Sequence, residues 1–551
     1  MRPIPAIDKW GSWYKKYLDR DVFISLDDGV YPPSKLFNEN FVNGNVDYVG
    51  RVKRFAKFTE KENMNQSFVD YCRKNGLKVP SEYRMAFSNA KAGYVSAAKY
   101  DKGQPKLDEA AWALAGEWTK QHFKSCMSGS GVIDEELVIQ NMKKQTSAGY
   151  PWSLKYKSKA EMLDSPAKQV LSDYWDLIGS ENEDNIVPIW TCSQKVEMRA
   201  VEKLRENNLR TFTACPFELS TATNRLCLDA NNGFYNGALN TFSCVGFSKF
   251  LQGWNNVYEM LDVHKNAYEL DESQYDSSLF KKALYGQRDI RWSYLHADDQ
   301  TPENHLRMDA VYEAIVNSFV VMDGGELIRK QTGNPSGSSN TVVDNTMILF
   351  RLFAYAYIVL CKERGRKFSY SDFMENVSAA LYGDDNTYTC SDEVNEWFTP
   401  ENIGRIWSGI GVTTKTPCNS ARKLSEVKFL SNGFYFCERL RLWFPVPETG
   451  RVLSSLCWGS DKMDVRWHYL RACALRLDSY WNFEVRKIIS GYIDYLDKVH
   501  KEDLVGEIGG IQMQQIRNIW KSDDWIESLY CGRESSQSDF GMKILEVGLA
   551  A

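Results

Sequence analysis

Histidine is scarce in this chain, with six residues in 551, all scattered. No two of the thirteen cysteines stand at C-x-x-C spacing. A zinc module is therefore not expected. An odd, unclustered set of cysteines reads as free thiols in a reducing compartment rather than a disulfide framework. Long hydrophobic runs are missing too. The longest, residues 347–361, is interrupted by Arg351 and is too short for a membrane span, so it reads as a buried helix. Met1-Arg-Pro-Ile-Pro5 has no apolar segment, so a secretory signal is not expected. Neither sign of charge dominates: 67 Lys and Arg stand against 72 Asp and Glu. That excludes a histone-like polycation but leaves room for a local basic channel.

Core-forming residues are plentiful. The chain is 43% hydrophobic and 13% aromatic, with 17 Trp and 29 Tyr, which excludes a disordered chain. Its length suggests three or four domain-sized units. There is no internal repeat or low-complexity stretch.

The pattern along the chain is a mixture of helices and hairpins. Residues 107–124 have helical spacing, with Ala110, Ala111, Leu114, Trp118 and Phe123 recurring. Residues 267–270 read as a strand ending at Asp271, and Ser277-Ser278 opens a helical pattern. Residues 319–322 and 326–330 flank Asp323-Gly-Gly as a hairpin. Residues 379–382 and 387–390 form a second hairpin with Gly383-Asp-Asp-Asn386 at its turn. A third lies around 434–444. Ser338 or Ser339 is expected to cap the apolar helix that follows the 333–339 loop. After Pro445 the pattern is mainly helical. This order indicates an α+β core with helical flanks.

Three groups of residues can carry chemistry. Asp271 and Asp276 follow one strand, and Asp384 and Asp385 occupy one hairpin turn. Carboxylate clusters on neighbouring strands can hold two Mg²⁺ for in-line phosphoryl displacement. Oxygen ligands without histidine suit Mg²⁺ or Mn²⁺. The plainer alternative is turn chemistry at Asp384-Asp385 and helix capping by Asp276. The second group is the loop Gly333-Asn-Pro-Ser336-Gly337, followed by Thr341 and Asn345 four apart on one helical face. These are either ligand-facing or satisfied within the core. The third is the cationic run Lys195, Arg199, Lys203 and Arg210, which suits a triphosphate or an RNA backbone. Glu197, Glu202 and Glu206 leave open a solvated helix laced with ion pairs.

Taken in order, these segments resemble the RNA-dependent RNA polymerases of positive-strand RNA viruses. Thr146-Ser147-Ala-Gly149-Tyr150-Pro-Trp152 is similar to the family's template-channel motif, in a form near the picornaviral one. Lys195, Arg199, Lys203 and Arg210 match the basic NTP-channel motif. Leu270–Leu279, Gly333–Thr346 and Tyr382-Gly-Asp-Asp385 match the first three palm motifs. The wording around 210–216, 274–279 and 341–346 is especially similar to potyviral polymerases, and astroviruses are placed near that branch. The motif-level resemblance covers about 146–445. The chain departs from the family after Thr416-Pro417, where the usual palm lysine is displaced. Lys423 is the first candidate, with Arg422 and Lys415 behind it. The fifth motif is read at 429–434.

The resemblance implies a right-hand fold with an antiparallel palm sheet backed by helices. It places fingers at 1–226, palm at 227–281, a fingers insertion at 282–331, palm again at 332–445 and thumb at 446–551. It implies template-directed RNA synthesis from NTPs, with Asp271, Asp384 and Asp385 holding two Mg²⁺ ions, which Mn²⁺ can replace, and Lys423 as general acid. Lys195, Arg199, Lys203, Arg210, Asp276, Ser336, Gly337, Thr341 and Asn345 would contact the NTP. Thr146, Ser147, Gly149 and Tyr150 would contact the RNA template. Expected partners are template and nascent RNA, a protein primer and other viral replication proteins. Direct membrane insertion is not expected; the place of work would be host cytoplasm, at membrane-associated replication complexes reached through partners. Two alternatives are a catalytically inactive RNA-binding scaffold and a reverse transcriptase. Asp276, where a reverse transcriptase would be expected to carry a bulky aromatic, argues against the latter.

Overall fold

A computed structural model describes residues 7–24, 31–54, 56, 58, 64–181, 186–416, 418–458, 464–520, 522–533 and 537–550. The N-terminal Met1–Pro5 stretch and Pro417 lie outside them.

A four-stranded antiparallel sheet lies at the centre. Its strand order is Thr413–Lys415, Asn266–Ser273, Asp385–Cys390, Val377–Tyr382. The strand expected to stop at Asp271 runs on to Ser273, because the 413–415 strand pairs with its far end. Behind the sheet runs the helix Thr341–Glu363, buried along nearly its whole length. Its interior has no Gly or Pro to break it. By length and hydropathy it could cross a membrane, but its residues form the protein's interior. Arg351, the one charge within its apolar run, donates to the Trp112 carbonyl at 2.8 Å and lies over the Trp112 ring. Trp112 belongs to the helix Glu109–Met127, which is capped by Asp108 accepting from the Ala111 amide. That helix starts and ends a little later than spacing alone predicts. The cap at the start of Thr341–Glu363 also differs. Asn340 is the N-cap and makes no side-chain cap bond, while Ser338 Oγ accepts from the Asn340 amide.

A five-stranded sheet forms a second body, in the order Asp47–Arg51, Glu326–Arg329, Phe319–Val321, Ile189–Gln194, Thr211–Ala214. The 319–329 hairpin sits inside it, parallel to 189–194 on one side and antiparallel to 47–51 on the other. The cationic run is not one long helix. It folds as a short strand, Met198–Ala200, and a single turn, Val201–Arg205, before the 211–214 strand.

The chain after 432 forms the hairpin Asn432–Cys437 with Leu442–Pro447, then a helical body. Helices Val465–Asp478, Phe483–Val499 and Ser538–Ala550 pack together around a separate apolar core. All thirteen cysteines are free.

Candidate active site

The acidic residues meet at one end of the central sheet. Asp385 is the register partner of Asp271 on the adjacent strand. Residues so paired have Cβ atoms about 4.5–5.5 Å apart. Asp384 shares the two-residue turn with Gly383, whose φ of +66° suits a primed hairpin turn. Thr346 Oγ1 accepts from the Gly383 amide at 2.9 Å, which ties this turn to the 341–363 helix. The Leu430 amide donates to Asp385 Oδ1 at 3.1 Å, so one oxygen of Asp385 is already engaged. A cleft of about 440 Å³ opens beside Asp385, lined in part by Leu430, Ser431, Asn432 and Arg451.

Like charges opposed across a ladder are destabilising, and the carboxyl groups register this. Burial, then Asp384, Asp271 and Glu269, push Asp385 up to about 6. Asp384 is solvent-accessible, yet close protein walls, Asp276 and Asp271 raise it above the usual carboxylate range, while Arg210 pulls it down. Beneath them Glu272 is buried and raised well above that range, chiefly by desolvation. Asn386 Nδ2 lies 3.0 Å from each of its carboxylate oxygens. Glu272 carries no motif of its own, so sequence reasoning does not single it out. Among the described residues no three Asp, Glu, His or Cys side chains close into a metal cage. The donor set nevertheless fits Mg²⁺, which takes one or two carboxylates and completes its shell with water and substrate phosphate.

Asp276 lies next to this cluster. Asn345 Nδ2 donates to its Oδ1 at 2.5 Å. Thr341, on the same helical face, instead turns its hydroxyl back to the carbonyls of Pro335 and Ser338, at 2.6 and 3.0 Å. Thr341 therefore braces its own loop and does not join the Asp276–Asn345 pair. Ser336 Oγ accepts from the Thr213 amide at 3.1 Å. Gly337 bridges Ala214 so closely that a Cβ would stand 2.1 Å from the Thr213 carbonyl. The 333–337 loop and the strand that follows Arg210 are thus one construction. A buried pair anchors the helix start: Arg291 Nε to Asp344 Oδ1 at 2.8 Å, with Tyr312 donating to Asp344 Oδ2 at 2.8 Å. Arg291 also holds Asn231, which in turn donates to Asn340.

Of the four cations, Arg210 reaches towards Asp384 by its electrostatic effect. It is 57% exposed and pairs only loosely with Glu197, at 3.5 Å. Arg199 donates to the Asn208 carbonyl and braces its own turn. Lys203 is exposed on the 201–205 turn, and the Lys195 amide bonds the Arg210 carbonyl.

The geometry separates the candidate lysines and buries part of the 146–150 motif. Lys423 adjoins Arg422, which pairs with Ala267 at the far end of the 266–273 strand from the carboxylates. Lys415 is instead the register partner of Asp271. Of the three candidates, Lys415 is the one in register with the acidic cluster. Tyr150 belongs to the interior. It is buried, and its hydroxyl donates to the Val22 carbonyl at 3.2 Å. Gly149 is likewise buried, against Cys215 and Pro216. Thr146 and Ser147 remain exposed.

Comparison with known proteins decides the family. The model for the viral RNA-dependent RNA polymerase matches residues 79–496. The chain belongs to that family. A genome polyprotein of Barley mild mosaic virus is 30% identical over 57% of this chain and 13% of its own length. That of Barley yellow mosaic virus is 25% identical over 86% of the chain and 20% of its own length. That of Sweet potato mild mottle virus is 25% identical over 90% of the chain. The chain thus spans a fifth or less of these potyvirus-like polyproteins. The solved structure titled Sicinivirus 3Dpol RNA dependent RNA polymerase superposes with a TM-score of 0.66 at 15% identity. It covers 91% of this chain and 99% of that one. The fold is the right-hand polymerase fold in α+β form, as the motif order implied.

Proposed function

We propose that this chain copies an RNA template, transferring nucleotides from NTPs to the 3′ end of a nascent RNA. The observation that carries the reading is the register of Asp271 against Asp385, with Asp384 at the turn beside them. The 3′-hydroxyl oxygen attacks the α-phosphorus, the bond to the β-phosphate oxygen breaks, and pyrophosphate leaves. Two Mg²⁺ ions held by Asp271 and Asp384, with Asp385 assisting, would stabilise the attacking and leaving oxygens; Mn²⁺ has the same ligand preferences. Arg210 meets the triphosphate, with Lys203 and Lys195 further along the same run. Lys415, in register with Asp271, would donate a proton to the departing pyrophosphate. Asp276 and Asn345 meet the ribose. Ser336 and Gly337, fixed to the 211–214 strand, shape the floor of the nucleotide site. Exposed Thr146 and Ser147 would meet the template strand.

In this reading residues 1–226 and 282–331 are fingers, 227–281 and 332–445 palm, and 446–551 thumb. The division is supported by strand composition, since the five-stranded sheet draws only on the first two segments and the central sheet only on the palm segments. Because the relatives are genome polyproteins, the chain is proposed to work beside other products of one polyprotein, a protein primer among them. Its proposed place is the host cytoplasm, in replication complexes joined to membranes through those partners.

The test is extension of a labelled RNA primer on a defined template, with and without Mg²⁺, by wild type and Asp384→Asn. Template-dependent, metal-dependent extension that Asp384→Asn loses is expected. RNA binding by that variant should stay within a few-fold, since phosphate contacts elsewhere dominate it. Metal-independent extension would overturn the two-metal reading. No extension by wild type would favour an RNA-binding scaffold.

A further inference from the structure

Asn334 lies in the loop before the 341–363 helix and is fully buried. Its Nδ2 donates to Asn345 Oδ1 at 3.0 Å, and Asn345 Nδ2 donates to Asp276 Oδ1 at 2.5 Å. The three side chains form a relay of fixed polarity. An ionised carboxylate only accepts, so Asp276 requires the amide nitrogen of Asn345 to face it. Asn345 must then turn its oxygen the other way, into the interior. A buried amide oxygen needs a donor, and Asn334 supplies it. The backbone of Asn334 is pinned separately, its amide donating to the Asp276 carbonyl at 2.8 Å. The Asn345 carbonyl is held by the Tyr275 hydroxyl at 2.9 Å. Loop position and amide orientation are therefore set by different bonds.

We infer that Asn334 is a positioning residue for sugar selection, acting through Asn345. This rests on the polymerase reading above. Asp276 Oδ2 has no protein donor among the described residues and is free to accept from a ribose 2′-hydroxyl. The second N–H of Asn345 is free to donate to the same hydroxyl, provided the amide keeps its orientation. Without Asn334 the Asn345 oxygen is left buried and unpaired, so the amide is no longer held in one orientation, although its bond to Asp276 persists. The donor offered to the 2′-hydroxyl is then less firmly aimed. Deoxynucleotides, which lack the hydroxyl, lose less.

The experiment measures kcat/KM for each NTP and its matching dNTP on one primer–template. Wild type is compared with Asn334→Ala, Asn334→Asp, Asn345→Ala and the Asn334→Ala/Asn345→Ala double variant. Asn334→Ala keeps the backbone pin and should narrow the NTP:dNTP ratio by about tenfold, the scale of one unpaired buried acceptor. Asn334→Asp should narrow it further, because two acceptors then oppose each other. The double variant should show the ratio of Asn345→Ala alone, since the effect passes through that residue. Melting temperatures identify variants that fail to fold. Should Asn334→Ala fail, an unchanged ratio in Asn334→Asp overturns the inference equally. An unchanged ratio in Asn334→Ala, or additive effects in the double variant, also overturns it. An active wild type with an unmoved variant ratio sinks this inference alone, whereas a wild type that extends no primer sinks the polymerase reading.

Discussion

Lys415 faces Asp271 across the edge of the central sheet, in direct register. Neighbours of this kind share one face of the pleat, with Cβ atoms about 5 Å apart. Lys423 has no such relation, since its neighbour Arg422 is registered with Ala267, four residues earlier on the same strand.

Lys415→Leu should therefore slow the incorporation step by about 10²–10⁴-fold, the range for loss of a general acid. Lys423→Leu should leave it within a few-fold. Single-turnover incorporation measured in rapid quench separates them, and the opposite ranking would return the role to Lys423.

Arg210→Ala should raise the apparent KM for all four NTPs alike, by roughly ten- to a hundred-fold. Its guanidinium is weakly held by Glu197 and acts on Asp384, so little else should change. Steady-state kinetics with each NTP checks this. If RNA affinity falls while KM stays constant, Arg210 belongs to the template track.

Arg291→Met should destabilise the fold by about 3–5 kcal/mol, the cost of leaving a buried charge unpaired. Asp344 is 0% exposed, so no water replaces the lost partner. Asp344→Asn in the same chain should recover part of the loss, because it removes that charge. Denaturant midpoints for the two variants decide it; an unshifted Arg291→Met midpoint would show the pair to be dispensable.

Glu218 gives a pH-dependent term. It is buried, accepts from Trp152 Nε1 at 2.5 Å, and desolvation raises it to about 7. Its folded pKa exceeds its unfolded value, so between about 4.5 and 7 the native state binds more protons. Stability from this group is unpenalised below pH 4.5 and is lost as pH rises through 7. Glu218→Gln should remove a cost on the order of 3 kcal/mol above pH 7 and change little near pH 4.5. Melting temperature against pH for both proteins tests this, and a pH-independent difference would refute it.

Much of the site was legible because turn chemistry and strand spacing are local. The 377–390 hairpin, the acidic turn and the long apolar helix follow from residues within one element. What escaped depends on partners distant in sequence. Lys415, one of three candidates by sequence, moves ahead of Lys423 only once the 413–415 strand is laid against Asp271. Glu272 carries no sequence signal, and its role depends on Asn386 of the adjacent strand, whose register partner is Leu270. Tyr150 sits in a motif whose resemblance implies RNA contact, yet tertiary packing assigns it to the core. Arg199 fits the cationic spacing, but its turn folds the guanidinium back onto Asn208.

The interleaved five-stranded sheet also governs how the chain can be made. Among the described residues the strand Asp47–Arg51 pairs in that sheet only with Glu326–Arg329, and Ile189–Gln194 takes one neighbour from Phe319–Val321. During synthesis at roughly 5–20 residues per second, the earlier strands wait from roughly 6 to roughly 55 seconds for their partners. Their open edges are available throughout that interval to other nascent chains or to chaperones. A fragment ending before residue 319 leaves that wait unfinished, so the first three hundred residues cannot complete their sheet as a separate product.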